Sequence, residues 1–271
     1  MQIEAIDGDL RNGLWNVMHL HYFRHSSDFL YNLSDRNELL LRTIWKDFFK
    51  YRLDALPEWA PEVIDHIRKR FYESAWYDTY DLIEFITQTD PGLSGGKAAA
   101  AFNRVLEEEV AGYRLLDDCV VQITEESELA EIENAIDSAR RTALTGVDEH
   151  LSSALSMLAD KKNPDYRNSI KESISAVESV AKIISGDTKA ELGKALTMID
   201  SAVGIHPALK KGFSAIYGYA SDEGGIRHAM LESASVDFED AKYMLVSCSS
   251  FINYLIVKAG KAGINLQYKS I

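Results

Sequence analysis

The segment from Asp165 to Gly186 constrains the fold of this chain more than any other. Ile170, Ile174, Val177, Ala181 and Ile184 step by four and three residues, which places them on one face of an α-helix. Asp165 stands at the N-cap and Gly186 at the position where a left-handed residue lets a chain leave a helix. A stripe of that length has to be covered, so the second half is predicted to be a helical bundle. Asp148 is read as opening the preceding helix through HLSSALSMLAD, broken at Asn163-Pro164. A shorter helix over 190–203 ends near Gly204, and Pro207 enters the first turn of ALKKGFSAIYGY. A long last helix, from about Phe238 to Lys258, carries Phe238, Ala241, Leu245, Cys248, Ile252 and Leu255 in register, widened by Met244, Phe251 and Ile256. A face that wide is predicted to pack on the 166–185 helix and on a second copy of the chain.

Which polar residues flank the central stripe follows from the helical angle. With Ile170 at zero, Arg167 falls at roughly 60°, Glu178 at roughly 80° and Lys171 at roughly 100°, on the margin of the stripe and within reach of a groove between helices. Glu172 falls at roughly 200° and is expected to meet solvent.

The first half reads as helices with brief breaks. Asp35 is a candidate cap for NELLLRTIWKDFFKYRL, where Leu39, Leu40, Ile44, Phe48 and Tyr51 recur at helical steps. Pro57 and Pro61 end that run. Helices follow from about Glu62, through DLIEFITQ, and near 97–111 after the loop PGLSGG. The period then changes: Tyr113 to Leu116 and Cys119 to Ile123 are short apolar runs on either side of Asp117-Asp118, which predicts a small hairpin. Thr124 is the expected N-cap of a helix through EESELAEIENAIDSARRTAL that stops at Gly146. The predicted fold is mostly α: a helical region with a small hairpin over 1–147, then a bundle over 148–271.

The N-terminus has no basic segment followed by an apolar run, and no stretch approaches the length of a bilayer span. Cys119 and Cys248, one in each half, offer neither a disulfide framework nor a metal knuckle, and their apolar surroundings suggest buried, unreactive thiols. The expected location is the cytoplasm. The net charge of −13 argues against a general grip on phosphate backbones, but it is uneven. Residues 1–150 carry 15 Lys and Arg against 29 Asp and Glu, and residues 151–271 carry 14 against 13. On that division only the second part approaches RNA without strong repulsion, and the acidic first half suits a protein partner or trigger.

The most unusual stretch is SDEGGIRHAM at 221–230. Gly224-Gly225 gives the backbone access to positive φ directly before Ile226, Arg227 and His228. A guanidinium and an imidazole side by side suit a phosphate. The alternative is a helix-entry turn with Arg227 paired to Asp222, Glu223 or Glu178, and His228 as a structural residue. Other constellations are weaker. His21 and His25 are spaced i,i+4 with Asp28 beyond them, but no HExxH accompanies them, and Trp15, Tyr22 and Phe29 suggest ordinary packing. GLSGGK at 92–97 is not a P-loop. Neither a metal site nor a cofactor is expected.

The runs DYRNSIKESISAVESVAK, HPALKKGFSAIYGYASDEGGIRHA and DAKYMLVSCSSFINYLI, with LRNGLWN at Leu10 to Asn16, resemble bacterial abortive-infection proteins that carry an AbiJ-type N-terminal domain. Their C-terminal part is similar to the HEPN superfamily of helical-bundle ribonucleases. The resemblance covers almost the whole chain and is most specific from Asp165 to Ile256. It implies an antiphage, toxin-like ribonuclease that works as a dimer through its bundle, with RNA, tRNA among the candidates, as substrate. The sequence departs from the usual HEPN motif, in which an Arg precedes a His by four to six residues; here Arg227 and His228 are adjacent. Either the site is rearranged or the domain is a noncatalytic module that recognises a protein, nucleotide or RNA.

Cutting RNA without a metal requires a base for the ribose 2′-OH, an acid for the leaving 5′-oxygen and positive charge at phosphorus. His228 is the candidate for proton transfer and Arg227 for a bidentate hold on phosphate oxygens. Glu178 would orient either one, or else simply pair with Arg167 or Lys171. Arg167, Lys171, Lys210 and Lys211 are the basic candidates for RNA contact. Two juxtaposed chains would supply both acid and base.

Overall fold

The structure is a computed structural model in which residues 1–24, 36–89, 97–187, 189, 192–221 and 236–266 are described. Among them the elements run α1 (Gly8–Met18), α2 (Arg36–Thr43), α3 (Ala60–Glu73), α4 (Trp76–Thr89), α5 (Lys97–Glu108), β1 (Arg114–Leu116), β2 (Cys119–Val121), α6 (Glu126–Arg141), α7 (Thr145–Ala159), α8 (Tyr166–Ser185), α9 (Leu192–Val203), α10 (Pro207–Ser221) and α11 (Phe238–Lys261). The fold is mostly α, with one small antiparallel hairpin. The chain forms two compact units, Met1–Thr124 and Glu125–Ile271. The expected boundary at 147/148 falls inside α7, and α6, grouped above with the first half, packs on α7 and α11 in the second unit.

In the first unit, α1 buries Leu10, Leu14, Trp15, Val17 and Met18 and packs on α5. Arg11, on the same helix, donates to the carbonyl of Phe71, to Thr79 Oγ1 at 2.9 Å and to the carbonyl of Ser74 at 3.1 Å. It therefore satisfies the carbonyls that the end of α3 leaves without helical partners and ties them to the first turn of α4. The hairpin appears where the period changes. Asp117 and Asp118 both take positive φ, 47° and 61°, as a tight two-residue hairpin turn requires. A two-stranded hairpin is marginal alone, and here side chains close its edges. Asn103 of α5 accepts from Leu115 N and donates to Leu115 O, at 2.7 and 2.8 Å, and Glu84 of α4 accepts from Val120 N.

The run 37–53 is not one helix. α2 stops at Thr43, a wide π-helical turn covers Ile44–Phe48, and Leu39 is exposed. The departure serves an aromatic cluster: Trp45 sits 5.0 Å from the His66 ring and Tyr51 5.4 Å from it, with Phe49 at 6.2 Å. His66 Nε2 is buried without a hydrogen-bond partner among the described residues.

The second unit is built around α8, which packs on α7, α9 and α11. Asp165 caps α8 by accepting from Asn168 N, and Gly186 leaves it at φ 71°, both as predicted. Thr124 is not the cap of α6; Glu125 takes that place without a side-chain bond. Nor does α6 run to Gly146. It ends at Arg141, Ala143 takes the left-handed turn at φ 56°, and α7 starts at Thr145 with Gly146 in its first turn. The wide face of α11 is covered within the chain by α6, α7, α8 and α9. Lys242 Nζ lies 3.2 Å from Glu128, and Asn253 donates to Glu131 at 2.9 Å, both across to α6. Burial pushes the Cys248 thiol up to about 12.

Two measurements follow. Arg11→Met strips the charged donor from buried carbonyls and Thr79, and should cost about 2–4 kcal/mol in urea unfolding of the full chain. A cost under about 0.5 kcal/mol would refute the clamp. Burial, helped by Arg70 and Lys69, holds His66 below its ordinary 6.5. The unfolded chain therefore takes up this proton first, and the contribution is lost as pH falls below 6.5 towards the folded value. All four tryptophans lie in the first unit, so their fluorescence should report a lower urea midpoint at acid pH that His66→Phe makes less pH-dependent.

Candidate functional site in the second unit

Of the residues singled out in the sequence, only some fall among the described ones. Arg227 and His228 lie outside the described residues, as do His25 and Asp28. Glu178 sits on α8 with its carboxylate 3.6 Å from Lys182 Nζ one turn on, an ordinary i,i+4 pair. Arg167 is half-buried and Lys171 exposed, on the first turns of α8. Lys210 is half-buried and Lys211 exposed, on α10.

What the structure does bring together is the pair α7 and α8. The two run antiparallel, and three contacts share one register. Asp165 N donates to Met157 O at 3.1 Å, Ser169 Oγ to Ala154 O at 2.8 Å, and His150 Nδ1 lies 2.6 Å from Glu172 Oε2. Glu172 thus does not simply meet solvent. Ser169, Ser173, Ala176 and Val180, all fully buried, form a second stripe of small residues beside the isoleucines. The buried arc of α8 therefore extends round to Glu172. That stripe, stepping by four, three and four, was the available signal for the missed pair.

The pair is chemically specific. An ionised carboxylate has no proton to give, so Nδ1–H is the donor in this contact and Nε2 is the nitrogen turned away from Glu172. The His150 side chain is 36% exposed and Glu172 21%. One turn towards the start of α7 lies a cavity of about 310 Å³, lined by Leu144, Thr145, Gly146, Glu149, Ser179, Lys182 and Ile183. Two apolar walls, two hydroxyls and both charge signs make a recess at the lower end of small-ligand size.

With α6 included, the second unit holds 16 Lys and Arg against 21 Asp and Glu, a balance of −5, and the first 13 against 21, or −8. The near-neutral surface inferred for 151–271 is thus not that of the compact unit. Contact with RNA would have to be local. Among the described residues no helix is long and apolar enough to cross a membrane.

The family model described as AbiJ N-terminal domain 4 matches residues 1–138. The chain belongs to this family. AbiJ membership places it among abortive-infection, antiviral-defence proteins. The matched segment spans the whole first unit and most of α6, so the AbiJ domain reaches into the second compact unit. No curated protein and no solved structure matches the chain significantly.

Glu178→Gln discriminates between pairing and catalysis. A part-exposed i,i+4 pair is worth about 0.3–0.5 kcal/mol, so this variant should melt within about 1–2 °C of wild type and keep full activity. A loss of RNA cleavage at unchanged stability would instead mark Glu178 as a residue of the site.

Proposed function

We propose that this AbiJ-family chain is an abortive-infection effector whose second unit is a HEPN-like bundle that cuts RNA without a metal. Arg227 holds the phosphate and His228 transfers the proton. The observation that carries the reading is the joining, in one chain, of an AbiJ N-terminal domain to a unit whose described elements are all helices, centred on α8. The acidic first unit serves as the contact for a protein partner or phage trigger. Self-association runs through the bundle, where Tyr243 and Val257 of α11 stay 59% and 56% exposed.

The second reading is a noncatalytic module that binds a protein, nucleotide or RNA. It is favoured by the balance of −5 over the second unit and by the engagement of Glu178 with Lys182.

Digestion of total RNA by the purified full chain in EDTA separates the two. The ribonuclease reading expects fragments ending in 2′,3′-cyclic phosphate. His228→Ala should lower the rate about 10²- to 10⁴-fold. Arg227→Lys should also impair cutting, because an ammonium cannot form the bidentate fork. If His228→Ala cuts as fast as wild type, or wild type cuts nothing in any trigger state, the noncatalytic reading replaces this one.

A further inference from the structure

The end of α5, in the first unit, carries a residue that its own surroundings do not favour. Ala111 N donates to Leu106 O at 2.8 Å and Val110 N to Glu107 O at 3.0 Å, the pair of bonds that closes a helix through a left-handed residue. That residue is Val110, at φ 51°. The same two bonds end α11, from Ile264 to Ala259 and from Gly263 to Gly260, and there the left-handed residue is Gly263. A β-branched side chain is disfavoured at positive φ, and packing does not compensate, because Val110 is 57% exposed. Gln2 N donates to Val110 O and Gly112 N to Gln2 O, which lays residues 1–3 along the turn. A Cβ at Gly112 would stand 2.7 Å from Ile3 Cγ1 and 3.5 Å from Met1 Cγ, so both side chains lie over the glycine. Ile3 and Met1 are exposed as well. Three exposed apolar residues thus gather at one turn, flanked along the chain by the exposed carboxylates of Glu4, Glu107 and Glu108. Arg114, four residues beyond Val110, turns its guanidinium to the carbonyls of Ala111 and Tyr113.

We propose that Val110, with Ile3 and Met1, is the surface on which the first unit docks a protein partner, and that the partner's segment carries apolar side chains flanked by Lys or Arg. The proposal rests on the reading of the first unit as a protein contact, and it names the surface and the chemistry of what binds there. An exposed aliphatic group contributes only when something covers it, which is the gain that a glycine at position 110 would forgo. Charge fixes the kind of partner. The carboxylates beside the patch and the unit's balance of −8 repel acidic proteins and nucleic acid, and attract a basic segment.

The test uses the full chain and, as probe, a short fluorescent peptide of leucine and lysine pairs, with binding followed by anisotropy. Val110→Gly removes the side chain and suits the left-handed turn, so tryptophan fluorescence should report a melting temperature no lower than wild type. The same variant should bind the peptide about 10- to 100-fold more weakly, the loss expected for one covered aliphatic side chain. A peptide with glutamate in place of lysine should not bind the wild-type chain. A Val110→Gly chain that binds the lysine peptide like wild type, or that melts below it, overturns this surface and leaves the protein-contact reading standing. So does a glutamate peptide that binds as well as the lysine one. A wild-type chain that binds no lysine peptide removes both.

Discussion

The register between α7 and α8 is the constraint on which the second unit depends. Buried Ser169 and Ser173 spend their hydroxyls on helix carbonyls, at Ala154 across the interface and at Ser169 within α8. A buried hydroxyl without such a partner costs more than it contributes. The bond from Ser169 to Ala154 therefore selects one axial alignment of the two helices. From that alignment follow the neighbours further along: His150 meets Glu172, and Gly146 lies over Ser179 at the recess, where an added Cβ would stand 3.8 Å from the hydroxyl oxygen. Sliding α7 by one turn would break the Ser169 bond and separate the imidazole from its carboxylate together.

Much of this was legible in the sequence, for identifiable reasons. Caps and periodicity speak locally, so Asp165, Gly186 and Pro207 marked their helix ends correctly, and the period change at Tyr113–Ile123 marked the hairpin. Where tertiary packing decides, local rules failed. The turn after α6 is made by Ala143 at positive φ with Gly146 one helix further on, and a glycine-based rule reads the wrong residue. The π-helical turn at Ile44–Phe48 has no capping signature; it is set by the rings that Trp45, Phe49 and Tyr51 place around His66. The site shows the same division. Glu178 was read on the margin of α8 and is there, although its partner is Lys182. The isoleucine stripe alone turns Glu172 to solvent; the serine–alanine stripe beside it brings Glu172 to the edge of the buried face.

The grouping of α6 with the bundle changes how the molecule can meet a polyanion. Its carboxylates include Glu128, which pairs with Lys242, and Glu131, which receives Asn253, so part of that charge is spent in holding α11. The rest lowers the potential of the unit that is proposed to cut RNA. Long-range attraction then contributes little, and any grip on phosphate must come from a few placed groups, whose effect falls with ionic strength. The AbiJ match extends through most of this helix, so the matched segment and the second unit have α6 in common.

RNA ends in infected cells test the ribonuclease reading most directly. Bacteria expressing the full chain, or the His228→Ala chain, should be challenged with phage and their RNA sequenced by a method that captures 2′,3′-cyclic phosphate termini. New termini of that kind should appear after infection with the wild-type chain and none with His228→Ala. Protection from phage by the wild-type chain with no new cyclic-phosphate termini would contradict that reading.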